Sequence, residues 1–196
     1  MTDRVAGGTI GLLPLEELDD ELRTRLAARV ERLGYLGGFF RVAGHQPAML
    51  AAFIDFTEAG KNALSPDLVE LVALTCAAVL GNDYERHQHE WLAVRTGLGG
   101  DWVAAVESLD PDSAELPTQQ RVAQRYVLDA LRSHGHDAGP ALQAMVSELG
   151  EEGAVGVMLV CGRYLAHALL VNSCAIEPPV RSIFDEERPS ERSAPT

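Results

Sequence analysis

The chain has few of the residues on which thiol and amine chemistry depend. Among 196 residues it has one lysine, Lys61, and three cysteines, Cys76, Cys161 and Cys174, none of them in a Cys-x-x-Cys pair. A Schiff-base mechanism would have to use Lys61, and its neighbours in the sequence do not indicate that role. Because the cysteines lie within apolar runs, we expect them to be buried and reduced, as is typical of a cytoplasmic protein.

Positive charge and long apolar runs are also scarce. The chain has 29 acidic and 16 basic residues, for a formal net charge of −13. This balance disfavours nucleic acid and anionic membrane surfaces as partners, although a single local arginine could still bind a small anionic substrate. No secretory signal pattern is present, and no run approaches the roughly 20 apolar residues of a membrane span. We therefore expect a soluble, cytoplasmic protein.

Strand patterns are nearly absent, and helical periodicity dominates the sequence. Apolar residues recur every three or four positions in residues 15–33, which predicts an amphipathic helix, and a glycine-rich connector follows it. Further helices are predicted at about 47–61, 66–81, 82–96, 101–109, 119–133, 140–149 and 155–174, the last being the most buried by composition. We predict an all-α, single-domain helical bundle over residues 1–184 and a disordered tail over 185–196.

Polar residues cluster on one predicted helix face directly after Gly81. Asn82, Glu85 and His89 lie three and four residues apart, which keeps their side chains within about 60° of arc on a helix. An amide, a carboxylate and an imidazole placed together can perform acid/base chemistry. A structural interpretation also fits, because Asn82 and Glu85 nearly form a capping box. The two interpretations are compatible, since a cap can also line a pocket.

A longer pattern contains this face. Glu70 lies twelve residues before Asn82, which produces the spacing Glu-x11-Asn-x2-Glu-x3-His. The spacing resembles the Glu-x11-Cys-x2-Cys-x3-His motif of peroxidatic members of the carboxymuconolactone decarboxylase/alkylhydroperoxidase-D superfamily, with both cysteines replaced. Tyr84 completes the sequence Tyr-Glu-x-x-x-His, which is similar to the decarboxylase branch. A dithiol peroxidase is not expected, because the nucleophilic and resolving thiols are both missing from the motif.

The resemblance covers most of residues 10–180. GGFFRVAGHQPAMLAAFIDF (37–56) resembles the family's approach segment, and GRYLAHALLVNSCAIEP (162–178) resembles its closing helix. The resemblance implies an alkylhydroperoxidase-D-like bundle, a small-molecule substrate, no cofactor, no metal, and assembly as a dimer, trimer or hexamer. The chain departs from the pattern at Arg86, where decarboxylases often have tryptophan, and in its additional N-terminal helix. Both departures leave the substrate open.

The resemblance also implies roles for the residues of the motif. His89 would carry a proton, Glu85 would orient His89, and Glu70 would assist as a shuttle carboxylate. The break at Gly81 would let two helices fold back and bring Glu70 towards His89. Asn82 would donate a hydrogen bond to negative charge that develops on the substrate.

Three other residues are candidates for the substrate site. Tyr84 matches the decarboxylase motif, although packing against a neighbouring helix is the slightly favoured interpretation. Arg163 and His167 lie in an otherwise apolar helix, where polar groups need partners, and could face the pocket. Arg163 could bind a substrate carboxylate through two parallel hydrogen bonds. For Tyr164 we expect a hydrogen-bonded position in the core.

The resemblance implies a cofactor-free lyase that decarboxylates or protonates a small enolisable acid or lactone. An isomerase, cyclase or dehydratase of a biosynthetic pathway could use the same acid/base pair. A non-catalytic, oligomeric ligand-binding protein is a further alternative, which a structure without a pocket beside His89 would favour. A metal site remains open as well, because Glu85, His87, His89 and Glu90 are all potential ligands. The sequence does not specify a third ligand for such a site.

Overall fold

The computed structural model describes residues 9–112 and 115–185, and within these residues the fold is built from α-helices without a β-strand. The helices are α1 (Asp20–Leu33), α2 (Gly38–Ala43), α3 (Pro47–Ala63), α4 (Pro66–Leu80), α5 (Asp83–Arg95), α6 (Gly100–Glu107), α7 (Thr118–Ser133) and α8 (Gly139–Ser173). The predicted all-α class is confirmed. The predicted tail, 185–196, lies outside the described residues except for Asp185.

The segment predicted as a glycine-rich connector contains the short helix α2. Its glycines allow close packing, because a Cβ atom on Gly37 would lie 2.5 Å from the hydroxyl oxygen of Tyr84. A Cβ atom on Gly38 would lie equally close, 2.5 Å, to Cγ2 of Ile176. The absence of these side chains therefore lets α2 pack tightly against α5 and the segment that follows α8.

The turn between α4 and α5 determines where the polar residues of the motif lie. Gly81 ends α4 in the left-handed conformation, with φ 61° and ψ 35°. Asn82 then caps α5, because its side-chain oxygen accepts a hydrogen bond from the backbone N–H of Glu85 at 3.3 Å. Since α4 and α5 pack against each other after this turn, Glu70 on α4 approaches the first turns of α5.

Helix α4 is the central helix of the bundle. Ten consecutive residues, 68–77, are buried, and the helix contacts α3, α5, α6, α7 and α8. A helix that is apolar on all sides belongs in the interior of a fold. The sequence instead predicted that 155–174 would be the most buried helix. The carboxylate of Glu70 lies within the buried run of α4, and a charge in this position requires partners.

Helix α8 consists of two helical parts, because Gly150 interrupts it with φ 72° and ψ 172°. The second part has a buried face, and its opposite face exposes apolar side chains. Leu169 is 63% exposed, and the same exposed stripe contains Val155, Met158, Leu159 and Leu165. This exposed stripe is the reason that the second part of α8 is less buried than its composition predicted.

Helix α8 is long and apolar enough to span a membrane, although the sequence predicted no apolar run of that length. One 18-residue stretch of this helix has a mean hydropathy of 1.8, so by length and composition it could cross a membrane. Half of that stretch is buried inside the protein. The core helix of a globular protein passes the same test, so this finding alone is weak evidence for a membrane span.

Truncation of Met145 is predicted to destabilise the fold strongly. Its side chain is fully buried, with 0% exposure, in the cluster formed by α4, α7 and α8. Met145→Ala should lower the free energy of unfolding by about 2–5 kcal/mol, because it removes buried contacts and leaves a cavity. Urea denaturation of the full chain measures this change.

Met49→Ala is the matched control, because Met49 is 71% exposed at the start of α3. The same substitution should change stability there by no more than about 0.5 kcal/mol. Equal destabilisation by the two substitutions would contradict the described core.

Candidate active site

The site is centred on His89, whose two ring nitrogens both contact carboxylates. Nδ1 lies 2.7 Å from Oε2 of Glu70, and Nε2 lies 2.9 Å from Oε2 of Glu85. Helix α4 supplies Glu70, whereas α5 supplies Glu85 and His89. The structure therefore brings together the three residues that the sequence motif predicted as catalytic.

The two carboxylates determine the protonation state of His89. Burial lowers its pKa, but the charges and hydrogen bonds of Glu70 and Glu85 outweigh burial and raise the pKa to about 9. At neutral pH the ring is therefore an imidazolium, which donates one N–H to each carboxylate. In this state His89 can act as a proton donor.

Glu85 remains ionised despite its burial. Burial raises the pKa of its carboxyl group, but His167 and Arg163 outweigh this effect and hold the pKa well below its usual range. Nε2 of His167 lies 2.8 Å from Oε1 of Glu85, and Nη1 of Arg163 lies 3.7 Å from Oε2. Glu85 therefore lies between two imidazoles, and each of its oxygens contacts one of them.

His167 and Asn82 support Glu85 from behind. Burial lowers the pKa of His167, which favours its neutral form. The amide nitrogen of Asn82 lies 3.4 Å from Nδ1 of His167, and an amide nitrogen can only donate. This arrangement assigns the ring proton of His167 to Nε2, which donates it to Glu85. The ring of Phe39 stacks on His167 at a centroid distance of 4.1 Å and holds its orientation.

A cleft of about 590 Å³ lies beside His89. Its lining includes Glu85, His89, Arg163 and Tyr164. Glu70 does not belong to the lining, and it contacts Nδ1 of His89. Nε2 of His89 is therefore the nitrogen on the cleft side, where a substrate would meet it.

The predicted hydrogen-bonded core position of Tyr164 is confirmed, and its side chain also reaches the cleft. Its hydroxyl oxygen lies 3.2 Å from Nε2 of His89, and its ring lines the cleft. Burial raises the pKa of Tyr164 far above its usual range, so the hydroxyl group stays protonated. The guanidinium of Arg163 lies over the tyrosine ring at 4.3 Å. Tyr164 lies three residues before His167 on the same helix face, and this spacing was the sequence signal that could have indicated its place in the site.

Arg163 lines the cleft, and its side chain is fixed by a neighbouring hydroxyl group. Its Nε donates to the hydroxyl oxygen of Thr57 at 3.2 Å, which fixes the side chain. Its Nη1 is buried and has no hydrogen-bond partner among the described residues. This atom lies 3.7 Å from Oε2 of Glu85, so its charge acts on that carboxylate.

The sequence around this site matches a known family. Residues 47–118, which include Glu70, Glu85 and His89, match the model of the carboxymuconolactone decarboxylase family. The matched segment is less than half of the chain, so the chain is similar to that family through this segment. No curated protein is significantly similar to the chain in sequence.

Solved structures share the fold of this chain. An uncharacterized peroxidase-related protein of Ralstonia eutropha JMP134, with an alkylhydroperoxidase AhpD core, matches with a TM-score of 0.71 and 18% identity, over 85% of this chain and 90% of that chain. A protein of unknown function from Agrobacterium tumefaciens, related by its name to the antioxidant defence protein AhpD, matches with a TM-score of 0.63 and 16% identity, over 71% and 96%.

The debrominase Bmp8 has the same fold as well. It was solved as a cysteine-to-alanine variant in complex with 2,3,4-tribromopyrrole, and it matches with a TM-score of 0.69 and 16% identity. The match covers 85% of this chain and 90% of that chain. At such low identities these likenesses show an AhpD-like all-α fold.

Three residues predicted to bind substrate lie away from the cleft lining. Asn82 and His167 are buried behind Glu85, as described above. Tyr84 is buried in a second apolar cluster together with residues such as Leu22 and Phe39, so the packing interpretation describes its position. These positions correct the expectation of direct substrate contact, because the side chains already serve as partners for Glu85 or pack against α2. Of the four predicted substrate-binding residues, Arg163 lines the cleft.

Arg86, the departure from the decarboxylase motif, also faces away from the cleft. Its guanidinium lies 2.9 Å from Asp83 and 3.7 Å from the fully buried Glu90. His87 lies 3.1 Å from the backbone carbonyl oxygen of Val180. In the described part of the chain, no group of three or more His, Cys, Asp or Glu residues could hold a metal ion.

The predicted burial of the cysteines is confirmed, since Cys76, Cys161 and Cys174 are all buried and free. Sγ of Cys76 lies 3.7 Å from Sγ of Cys161, between α4 and α8. Neither thiol occupies a cysteine position of the peroxidatic motif, where this chain has Asn82 and Glu85.

The pKa of His89 should be measurable by NMR titration of its ring protons, with a midpoint at about 9. Glu70→Gln should lower the midpoint by about one pH unit or more, because it removes an opposite charge in direct contact. Since folding raises this pKa above 6.5, the resulting stabilisation is complete below pH 6.5 and is lost as the pH rises through about 9.

Glu148→Gln removes an equal charge from an exposed position on α8 and should leave the titration of His89 unchanged. A midpoint below pH 7 in the unmodified protein would contradict the imidazolium assignment.

Proposed function

We propose that this protein is a cofactor-free acid/base enzyme, a lyase that decarboxylates or protonates a small enolisable acid or lactone. The observation that carries the proposal is the His89 imidazolium between two buried carboxylates, with Nε2 at the cleft. A charged acid in contact with a cleft is the arrangement needed to deliver a proton to a carbanion or enolate.

The proposed decarboxylation conserves atoms and charge. Arg163 binds a substrate carboxylate, and the substrate loses CO2 and leaves its electron pair as a dienolate. Tyr164, which stays protonated, donates a hydrogen bond to the enolate oxygen. His89 then transfers the proton on Nε2 to carbon and recovers a proton from solvent. Glu70 and Glu85 orient the ring and stabilise its positive charge throughout the cycle.

The fold relatives support a small-molecule enzyme. One of them is a debrominase in complex with 2,3,4-tribromopyrrole, and we infer a small organic substrate for this chain as well. The absence of a pocket beside His89 would have favoured the non-catalytic alternative, whereas the cleft found there supports an enzyme. The acid/base geometry would serve an isomerase, cyclase or dehydratase as well, and the turnover experiment below separates these reactions from decarboxylation.

The proposal predicts release of CO2 from 4-carboxymuconolactone by purified, metal-free protein. His89→Ala should reduce kcat by about 10²–10⁴-fold, because it removes the proton donor. Glu85→Gln should also reduce kcat, since it removes a charge that holds His89 protonated. CO2 release and substrate absorbance, followed in parallel, measure the effect.

His136→Ala is the matched control, because His136 is exposed in the turn after α7. Full turnover in His89→Ala or Glu85→Gln would contradict the assigned roles. If the folded, unmodified protein releases no CO2, the decarboxylase reaction is excluded for this substrate, and the isomerase or cyclase alternative replaces it.

We further propose that the exposed stripe on α8 packs against another copy of the chain, as the family resemblance implies. The stripe includes Val155, Leu159 and Leu169, and its apolar character is unusual for a solvent-facing helix surface. Burial of such a stripe between identical subunits would remove it from water.

Light scattering coupled to size exclusion should show a mass that is a multiple of 21.1 kDa. The double substitution Leu159→Glu/Leu169→Glu should shift the protein towards the monomer, because it would bury unpaired charges. Met49→Glu, at an exposed apolar residue of α3, should leave the mass unchanged. A monomeric mass for the unmodified protein would refute this assembly.

A further inference from the structure

Four arginines without ion-pair partners line the cleft. They are Arg29, Arg32, Arg95 and Arg181, which we call the arginine cluster. Within the described residues, none of the four lies within ion-pair distance of a carboxylate. The chain has 29 acidic and 16 basic residues, so acidic partners are abundant elsewhere. Unpaired cations that face one cleft in an acidic protein indicate a negatively charged ligand.

Arg29 is the most enclosed member of the arginine cluster. It comes from α1 and is partly buried, and its guanidinium lies over the ring of Phe40 at 4.9 Å. Burial lowers its pKa, and the charges of Arg32 and Arg163 act in the same direction, whereas those of Glu85 and Glu58 raise it. Because no carboxylate of the described residues lies within ion-pair distance of this partly desolvated cation, an anion bound in the cleft would stabilise it.

Arg181 is held at the cleft by the segment that follows α8. The indole N–H of Trp91 donates to the backbone carbonyl oxygen of Arg181 at 2.8 Å. The hydroxyl group of Ser182 and the backbone N–H of Ile183 both donate to Glu90, at 2.6 Å and 2.8 Å. Because Glu90 is fully buried on α5, these contacts anchor the backbone that carries Arg181.

The arginine cluster provides more cationic groups than the proposed reaction needs. Arg163 lies next to Glu85 and Tyr164 and is available for the reacting carboxylate. The members of the cluster come from α1, from the last turn of α5 and from the anchored segment. The planar fork of an arginine matches phosphate oxygens through two parallel hydrogen bonds, and several such forks suit a group with more than one negative charge.

We propose that the arginine cluster binds a phosphate group of the substrate, while the reacting carbon of the same substrate lies at His89. The first part concerns binding alone, whereas the second part rests on the proposed function of His89. The substrate class is then a phosphate ester or diphosphate that carries an enolisable acid or lactone, and it is larger than a simple lactone acid. The cleft volume of about 590 Å³ accommodates a ligand of that size.

Isothermal titration calorimetry of the full chain with inorganic pyrophosphate tests the binding site directly. We expect one site per chain. The double substitution Arg95→Gln/Arg181→Gln should raise Kd by about tenfold or more, because it removes two charge-assisted contacts. Both side chains are exposed, so these substitutions should leave the fold intact.

Arg121→Gln/Arg132→Gln is the matched control, since it removes the same charge from exposed positions on α7 that do not line the cleft. Its Kd should stay within about twofold of the unmodified value, because long-range surface charge is screened by salt. An equal loss of affinity in both double variants would show non-specific charge binding and would overturn the proposal. Absence of pyrophosphate binding to the unmodified chain would overturn it as well.

Malonate distinguishes phosphate from carboxylate recognition. We expect malonate to bind at least about tenfold more weakly than pyrophosphate, and equal affinities would refute a phosphate site. His89→Ala should still bind pyrophosphate, with a smaller loss of affinity than the arginine double substitution, because it removes a cleft charge that lies outside the arginine cluster. Pyrophosphate binding without any turnover would thus preserve the phosphate site and reject the acid/base function. Turnover of a lactone acid without pyrophosphate binding would preserve the acid/base function and reject the phosphate site.

Discussion

The imidazolium of His89 and the two carboxylates that flank it form the interaction on which the rest of the site depends. Three ionised groups in a largely buried position are stable only if each one finds a close partner of opposite charge. Glu70 satisfies Nδ1 and Glu85 satisfies Nε2, at 2.7 Å and 2.9 Å. The same contacts keep His89 protonated at neutral pH, so the stability of the site and its capacity to donate a proton have one physical origin.

The surrounding helices can be understood as support for this charge cluster. Helix α4 holds Glu70 inside an apolar environment, and the Gly81–Asn82 turn brings α5 back against it. Behind Glu85, the amide of Asn82 donates to Nδ1 of His167, and Nε2 of His167 donates to Oε1 of Glu85, the carboxylate oxygen that His89 does not contact. The neutral form of His167 satisfies Glu85 without adding a further buried charge beside Arg163.

The cleft combines this acid with a concentration of positive charge in a protein whose net charge is −13. Arg163 is fixed by Thr57, and its buried Nη1 lies 3.7 Å from Oε2 of Glu85. The arginine cluster adds four cations from separate parts of the chain. Such a field would attract anionic substrates and repel cations, although the protein as a whole is acidic. The family resemblance describes the scaffold and its acid/base motif, whereas these arginines are the features from which we infer the substrate.

The sequence by itself determined the all-α class, most helix positions and the identity of Glu70, Glu85 and His89 as one group, because helix periodicity and motif spacing are local properties. It did not reveal that Tyr164 contacts His89, since the two residues are 75 positions apart in the chain. Nor did it show that Asn82 and His167 stand behind Glu85, because a helix pattern gives a residue's face but not the neighbour against which that face packs. The cleft and the arginine cluster were decided by tertiary structure alone, since α1, α5 and the segment after α8 meet there only when the bundle has folded.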